Sequence, residues 1–355
     1  MATDAPSDTN PVRDRRIEQI EPLATPALLL HEHPLSPERA DGVLRDRQRL
    51  ARILAKDDAR LLVVVGPCSV HDVEAARDYA QRLARLSPEL ENLMLTMRVY
   101  FEKPRTTTGW KGLINDPHLD GSGDVNSGLR IARELLLEVL DLGLPVGCEF
   151  LDPISPQYIA DTVSWGAIGA RTTESQIHRQ LASGLSMPVG FKNRTDGNIG
   201  VAVDAVRAAA AQHSFAGVDL SGSSAILHTS GNPDCHVILR GGRGEPNYGP
   251  ESIAKTLELL REVGLPERVV IDASHDNSGK DHERQPTVAT EIAAQLAAGE
   301  EGIVGVMLES FLESGRQELS GELDYGRSIT DKCMDWDSTV AVLRELDAAA
   351  LTRRP

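Results

Sequence analysis

The sequence of 355 residues lacks the features that mark secreted or membrane-spanning proteins. Its four cysteines (Cys68, Cys148, Cys235 and Cys333) are far apart and form no Cys-x-x-Cys pair, a pattern that suits a reducing compartment. No apolar run approaches the about 18 residues that a membrane span needs. The polar N-terminus, MATDAPSDTNPVRDRR, has no apolar segment of the secretory kind. These absences predict a cytoplasmic protein without disulfides.

Basic residues are also in short supply. Lys and Arg number 37 against 53 Asp and Glu, which gives a net charge of −16. Nucleic acids and anionic membranes select cationic surfaces, so neither is expected as a partner. Net charge describes the whole surface, however, and leaves open whether one pocket is positive.

The chain divides into a lead-in and a longer region of alternating strands and helices. Residues 1–60 comprise a polar N-terminal arm and a helical extension, whose segment PLSPERADGVLRDRQRLARIL places apolar residues on one face. The residues of that face are Val43, Leu44, Leu50, Ile53 and Leu54. In residues 61–355, eight apolar and β-branched runs predict strands: Leu61–Val65, Met94–Phe101, Pro145–Phe150, Ala167–Ala170, Pro188–Phe191, His236–Leu239, Arg268–Ile271 and Ile303–Leu308. Amphipathic stretches such as DVEAARDYAQRLARL lie between them, and several end in the glycine that favours a helix C-terminus.

This alternation predicts an α/β fold, a (β/α)8 TIM barrel with an N-terminal extension. Continuous apolar strands separated by helices indicate a parallel sheet covered by helices. No G-x-G-x-x-G follows the first strand, so an open dinucleotide-binding sheet is disfavoured. The stretch at about 212–229, HSFAGVDLSGSSAILHT, interrupts the alternation and predicts an inserted β-hairpin before the sixth strand.

The predicted strands end in chemically competent side chains. In such a barrel all strand ends of one polarity meet at one mouth, where catalytic residues collect. One set offers a sulfur, a nitrogen and two carboxylates: Cys68, His275, Glu309 and Asp331. This mixed set suits a divalent ion such as Mn²⁺, Fe²⁺, Co²⁺ or Zn²⁺. The other set is cationic and matches phosphate or carboxylate groups: Arg98, Lys103, Arg105, Arg171, Lys192 and Arg240.

Each of these residues, taken alone, has an ordinary structural explanation. A single Cys after a buried strand is commonly an inert small hydrophobe, and a single Arg at a strand end commonly forms a surface ion pair. Placement of such residues at every strand end favours one shared site instead. Other histidines and cysteines lack a comparable placement and are assigned no role: His71, His178, His282, Cys148, Cys235 and Cys333.

The motifs at these strand ends resemble those of one family. The segments GPCSVHD, MRVYFEKPRTTTGWKG, CEFLD, GAIGARTTESQ, GFKN, ILRGG, IDASH and SITD are similar to type I 3-deoxy-D-arabino-heptulosonate 7-phosphate (DAHP) synthases. The resemblance runs from about Ile17 to the C-terminal helix and includes the extension and hairpin of the feedback-regulated group. The KPRTT segment distinguishes it from the related 3-deoxy-D-manno-octulosonate 8-phosphate synthases.

The resemblance implies a metal-dependent transferase at the first step of the shikimate pathway to aromatic amino acids. Phosphoenolpyruvate would condense with erythrose 4-phosphate and release phosphate. Arg171, Lys192 and Arg240 would hold the phosphate of phosphoenolpyruvate, and Arg98 and Lys103 its carboxylate. Arg105 and Thr106 would bind the phosphate of the aldose. Cys68, His275, Glu309 and Asp331 would ligate the metal, Lys103 would protonate the aldehyde oxygen, and Glu149 or a metal-bound water would activate the attacking water.

The family pattern also raises questions of specificity and regulation. Arg194 replaces a small residue beside Lys192, and Asp276 replaces an alanine beside His275. A sister synthase that uses another phosphorylated or amino-substituted aldose, or a catalytically silent regulatory barrel, would share much of the pattern. A class II aldolase is disfavoured, since those enzymes use His-rich zinc sites. The arm and the hairpin imply an aromatic amino-acid effector, with Ser186 and Gly217 near the position that selects among Phe, Tyr and Trp. A homodimer or homotetramer is expected.

Overall fold

The structure is a computed structural model that describes residues 12–105 and 109–353. Its strands are β1 (Leu61–Gly66), β2 (Leu93–Arg98), β3 (Val146–Glu149), β4 (Trp165–Ile168), β5 (Val189–Lys192), β6 (His213–Val218), β7 (Ser224–Thr229), β8 (His236–Leu239), β9 (Val269–Asp272) and β10 (Ile303–Glu309). Its α-helices are α1 (Pro26–Glu32), α2 (Pro37–Leu54), α3 (Val73–Leu86), α4 (Val125–Asp141), α5 (Pro156–Ile159), α6 (Gln176–Gly184), α7 (Gly200–Ala209), α8 (Pro250–Glu262), α9 (Gln285–Ala297) and α10 (Trp336–Leu351).

Eight of the strands close into a parallel barrel. Their order around the barrel is β1-β10-β9-β8-β5-β4-β3-β2, and each neighbouring pair is parallel. The predicted (β/α)8 fold is confirmed, and each of the eight predicted strands overlaps an observed one. No helix in the described ranges is long and apolar enough to cross a membrane.

Local sequence signals explain where the helices begin and end. The side chains of Asp72, Asp124 and Asp335 accept hydrogen bonds from backbone N–H groups in the first turns of α3, α4 and α10. Gly143 and Gly264 follow α4 and α8 with φ of 76° and 72°, the left-handed conformation that ends a helix at little cost. These caps fix the points at which the chain turns back into the barrel.

The core has two parts, one between strands and helices and one inside the barrel. The inner cluster includes Leu62, Trp165 and Val304 from the strands together with Leu50 and Ile53 from α2. The extension helix α2 therefore packs its apolar face against the amino-terminal end of the barrel interior, opposite the mouth at which functional groups are expected. The other predicted residues of that face follow this pattern except one: Val43 and Leu54 are buried, whereas Leu44 is exposed.

The predicted hairpin is confirmed as the antiparallel pair β6 and β7. Its register pairs His213 with Thr229 and Val218 with Ser224. Near its turn, the carbonyl of Leu220 accepts a hydrogen bond from the backbone N–H of Ala27 in α1. The hairpin is thus tied to the N-terminal extension.

Candidate active site

A polar cavity of about 640 Å³ opens at the carboxyl ends of the barrel strands. Among the residues that line it are eight of the predicted site residues: Arg98, Lys103, Glu149, Arg171, Lys192, Arg240, His275 and Asp331. They are brought together because strands that are parallel all end at the same mouth. Cys68 and Glu309 do not line the cavity, but they contact residues that do.

Next to the cavity lies a group that can hold a metal ion. One ligand atom each from Cys68, Glu309 and Asp331 lie within 4.8 Å of one another. Cys68 follows β1, Glu309 is the last residue of β10, and Asp331 lies in the loop beyond it. A thiol and two carboxylates in this arrangement fit a borderline divalent cation better than Mg²⁺ or Ca²⁺, which prefer oxygen ligands.

His275 lies at the edge of this group. Its Nε2 is 3.9 Å from Oε1 of Glu309, while its Nδ1 is 3.0 Å from Oδ2 of Asp272. Nδ1 also lies 2.7 Å from the hydroxyl of Ser274. These contacts at Nδ1 leave Nε2 on the side of the group, as is common for metal-binding histidines. The backbone of His275 has φ of 54°, a left-handed conformation that costs free energy in a non-glycine residue.

Lys103 bridges the metal-competent group and the cavity. Its Nζ donates hydrogen bonds of 2.8 Å to Sγ of Cys68 and 2.8 Å to Oδ2 of Asp331. Burial alone would lower the pKa of Lys103, but the neighbouring Cys68 and Asp331 raise it above its ordinary value. The lysine is therefore positively charged and lies between this group and the cavity.

The pKa values of Cys68 and Asp331 are shifted in opposite directions. Burial, followed by the charge of Glu309, raises the pKa of the Cys68 thiol to about 11. Burial also opposes ionisation of Asp331, but Lys103 and His275 hold its pKa below the ordinary value. A cation bound here would stabilise the thiolate, because a coordinated thiol loses its proton.

The remaining buried cations of the cavity are each held by a carboxylate. Arg98 donates to Oε1 of Glu309 over 3.0 Å and stacks on the ring of Tyr100, whose centroid is 3.8 Å from Cζ. Nζ of Lys192 is 2.8 Å from Oδ2 of Asp272. These pairs orient the cations in a buried environment where an unpaired charge would be costly.

Arg240 and Arg194 complete the ion pairs around the mouth. Nη1 of Arg240 is 2.5 Å from Oδ2 of Asp276. Arg194 is bound by Glu174 at 2.8 Å and by Asp196 at 3.2 Å. The two departures from the family pattern, Arg194 and Asp276, thus each pair with a different residue and not with one another.

Glu149 and Arg171 face the cavity from neighbouring strands. A Cβ at Gly169 would collide with Oε1 of Glu149, so a larger residue at this position would force the carboxylate to shift. Arg171 follows β4 and is exposed, and within the described ranges its guanidinium has no ion-pair partner. It is therefore available to an anionic ligand.

One predicted residue of the KPRT segment lies away from the cavity lining. Arg105 is exposed, and its Nε donates to the carbonyl of Trp110 over 2.8 Å, so it does not line the cavity. Thr106 lies outside the described residues.

The structure adds residues that sequence reasoning missed. Arg243 and Lys280 line the cavity as further cations. Asp272 is fully buried and binds both Lys192 and His275, which lowers its pKa well below the ordinary value although burial opposes this. The signal for Asp272 was present in IDASH, where a carboxylate ends an otherwise apolar strand.

Comparisons with known proteins agree with the fold and identify relatives of this chain. Residues 34–344 match the DAHP synthetase I family. A phospho-2-dehydro-3-deoxyheptonate aldolase of Corynebacterium glutamicum is 56% identical, over 96% of this chain and 95% of its own length. The Phe-sensitive phospho-2-dehydro-3-deoxyheptonate aldolase of Escherichia coli is also 56% identical, over 96% of this chain and 98% of its own length. The Tyr-sensitive protein of the same bacterium is 53% identical, over 91% of this chain and 92% of its own length.

A solved structure shows the same architecture. The phospho-2-dehydro-3-deoxyheptonate aldolase of Francisella tularensis SCHU S4 superposes with a TM-score of 0.94 at 47% sequence identity. The match covers 96% of this chain and 100% of that one. The likeness therefore extends over the barrel, the extension and the hairpin together.

Proposed function

The chain belongs to the DAHP synthetase I family, and from this premise we propose that it condenses phosphoenolpyruvate with erythrose 4-phosphate to give DAHP and phosphate. This is the first step toward the aromatic amino acids. The observation that carries the proposal is the cavity at the strand ends, in which several cations converge beside Cys68, Glu309 and Asp331. The cations match the phosphate and carboxylate of phosphoenolpyruvate, and the metal-competent group matches the need to polarise the aldehyde of erythrose 4-phosphate.

The cations divide into two subsites for phosphoenolpyruvate. Arg171, Lys192 and Arg240 hold its phosphate in the proposal, and Arg98 and Lys103 hold its carboxylate. Arg98 is fixed by the carbonyls of Pro67 and Cys68 as well as by Glu309, which makes its orientation rigid before substrate binds. Arg105 and Thr106 are the proposed ligands of the erythrose phosphate.

Cys68, His275, Glu309 and Asp331 are the proposed metal ligands. Cys68, Glu309 and Asp331 lie close together, and His275 lies beside Glu309. This set of ligands fits Mn²⁺, Fe²⁺, Co²⁺ or Zn²⁺. When bound, such an ion supplies Lewis acidity for the aldehyde oxygen. Asp272 keeps the His275 ring in place through Nδ1.

The proton transfers fall to side chains of this chain. As the enol carbon of phosphoenolpyruvate forms a bond to the aldehyde carbon, Lys103 donates a proton from Nζ to the aldehyde oxygen. Water then adds to the resulting cationic carbon, and Glu149 accepts its proton. Cleavage of the C–O bond releases inorganic phosphate into the subsite formed by Arg171, Lys192 and Arg240. Fixed placement of both substrates removes much of the entropic cost of a bimolecular reaction.

A second cavity is the proposed site of a regulatory aromatic amino acid. It has a volume of about 440 Å³, and its lining includes Pro156, Gln157, Leu181, Ser186, Phe215 and Leu227. The last two belong to the hairpin, and relatives of this chain are named as Phe-, Tyr- or Trp-sensitive. The three kinds of relative have similar sequence identity to this chain, so the effector is to be found by testing all three amino acids.

We extend the proposal to assembly and location. Ile17, Ile20 and Leu23 of the extension and Ile226 of the hairpin are exposed apolar side chains. Their burial against a second copy would support a homodimer or homotetramer, which light scattering would measure. The proposed location is the cytoplasm, where the four free cysteines stay reduced.

The test is product formation by the full chain after metal removal. We expect no DAHP from the stripped protein and recovery of activity when Mn²⁺, Fe²⁺, Co²⁺ or Zn²⁺ is restored singly. A panel of other phosphorylated and amino-substituted aldoses separates this enzyme from a sister synthase. Absence of product with every metal and aldose would overturn the proposal and indicate a silent barrel.

A further inference from the structure

A carboxylate lies inside the proposed phosphate subsite. Asp276 follows β9 in a short helical turn, His275–Asn277, and lines the main cavity together with Arg240. Its Oδ2 is 2.5 Å from Nη1 of Arg240, and the two side chains are only 13% and 5% exposed. An anion so close to an anion-binding guanidinium requires an explanation.

The contact leaves part of the Arg240 guanidinium available. Nη1 is engaged by Asp276 and by the carbonyl of Gly241, which is 3.3 Å away. Nε of Arg240 is buried and has no hydrogen-bond partner in the described part of the chain. A guanidinium has five N–H donors, so Arg240 can bind a phosphate oxygen while it remains bonded to Asp276.

Asp276 differs from the other carboxylates that pair with cavity cations. Asp272 also binds His275 and the hydroxyl of Ser274, and Asp331 belongs to the metal-competent group. Across the described ranges, the carboxylate of Asp276 is bonded to Arg240 alone. Its negative charge therefore acts chiefly on whatever anion Arg240 receives.

We propose that Asp276 is a positioning residue that weakens the subsite for phosphate, both for the phosphate group of phosphoenolpyruvate and for the inorganic phosphate released. The inference rests on the proposed function, which assigns Arg240 to that group. A phosphate dianion on Arg240 is repelled by a buried carboxylate at the same guanidinium, where water screens little. Weaker retention favours departure of the product phosphate from a site that is otherwise strongly cationic.

The test compares D276N and D276A with the Mn²⁺-loaded wild-type protein. Asn keeps an acceptor for Arg240 but removes the charge, whereas Ala removes both. Calorimetric titration with inorganic phosphate should give a Kd lower by on the order of tenfold in both variants. KM for phosphoenolpyruvate should fall in parallel, whereas removal of a merely structural support would raise it.

A matched control and an independent variant separate the possible failures. E174Q removes the same charge from an exposed carboxylate that binds Arg194 outside this contact, and it should change the Kd for inorganic phosphate less than about twofold. R240Q should weaken phosphate binding. If R240Q has no effect, the assignment of the subsite in the proposed function fails.

If R240Q weakens binding but D276N leaves the Kd unchanged or raises it, the inference about Asp276 alone is overturned. A loss of affinity confined to D276A would assign Asp276 to orientation of Arg240 and would overturn it equally. Thermal melts of each variant establish that the measured proteins are folded.

Discussion

Single side chains in the cavity are organised as pairs of opposite charge. Lys103 and Lys192 each lie 2.8 Å from a carboxylate oxygen, of Asp331 and Asp272 respectively. Buried charges are tolerated when they are paired and hydrogen-bonded. The pairs thus orient the cations before an anionic substrate arrives, so that little rearrangement is needed when it binds.

Lys103 gives the first prediction at this scale. K103M should lower kcat by a factor of about 10² to 10⁴, because it removes the proposed proton donor to the aldehyde oxygen. Steady-state kinetics with both substrates measure the loss, and electron paramagnetic resonance of added Mn²⁺ measures metal loading. K255M, which changes an exposed lysine of α8, is the control and should retain the wild-type rate. Near-normal turnover by K103M with metal bound would contradict the assignment.

Glu102 gives a prediction about pH. It is buried beside Asp152 and accepts a hydrogen bond from Ser155, and burial followed by the charge of Asp152 raises its pKa from 4.5 to about 8. Between these values the folded protein keeps a proton that the unfolded chain has lost. The contribution of Glu102 to the free energy of unfolding therefore falls with rising pH, by up to about 1.4 kcal/mol per unit.

E102Q should remove this slope. Urea denaturation of the variant and the wild type from pH 5 to pH 8 should give free energies of unfolding that diverge, with E102Q gaining relative stability as the pH rises. E258Q, at an exposed glutamate of α8, should follow the wild type throughout. Parallel curves for E102Q and wild type would show that Glu102 ionises at an ordinary pKa.

The residues at the strand ends could be predicted from sequence, whereas their ion pairs could not. Lys192 and Glu309 each come directly after an apolar run, and Arg98 is the one charged residue within the second predicted strand. The pairing of Lys192 with Asp272, by contrast, depends on the barrel order, which brings the distant β5 and β9 to either side of β8. No periodicity in a single sequence contains that information.

At the scale of elements, burial pattern determined which boundaries were predictable. Strand β8 begins and ends where the sequence predicts, because its apolar residues Val237–Leu239 stand between the polar His236 and Arg240. The start of β4 at Trp165 was missed by two residues, since a tryptophan between a serine and a glycine gives no alternation to follow. Helix α2 was predicted with Leu44 inside, but the barrel covers only part of that apolar stripe, and Leu44 faces solvent.

The hairpin gives a prediction at the element scale. A Cβ at Gly217 would lie 2.5 Å from Cδ1 of Leu227, a side chain that lines the proposed effector cavity. G217A should therefore displace Leu227 and raise the inhibition constant of the effective aromatic amino acid by on the order of tenfold. The kcat measured without effector should not change, because the hairpin lies outside the barrel.

The inhibition assay uses Phe, Tyr and Trp in turn, with S224A as the control at an exposed position of the same hairpin. If each amino acid that inhibits the wild type inhibits G217A equally strongly, the role of this cavity in regulation is refuted.

On the scale of the whole molecule, the two ends of the barrel are specialised differently. Leu50 and Ile53 of α2 close the interior at the amino-terminal end, and the open end gathers cations within a chain whose net charge is −16. The acidic exterior and the basic cavity coexist because the cavity residues occupy strand ends, while the acidic excess is spread over the helices and loops. Total charge therefore predicts the absence of nucleic-acid partners and has little bearing on the substrate.

This arrangement also predicts how metal binding affects the stability of the entire chain. The proposed ligands come from the end of β1, the segment after β9, the end of β10 and the loop that follows it, so an ion there joins both partners of the β1–β10 pair. A ligand that binds only the folded state stabilises it by about 4.1 kcal/mol at a thousandfold excess over Kd. Addition of Mn²⁺ to chelator-treated protein should therefore raise Tm by several degrees in differential scanning calorimetry.

C68A should lose most of this Mn²⁺-induced increase in Tm, because it removes the sulfur ligand. The Tm of metal-free C68A can differ from that of the metal-free wild type. C235A removes an equally buried thiol far from the proposed site and should keep the full increment. The comparison of increments within each variant cancels the cost of the cavity that either substitution leaves. An undiminished Mn²⁺ increment in C68A would show that the ion that stabilises the fold binds somewhere other than at the barrel mouth.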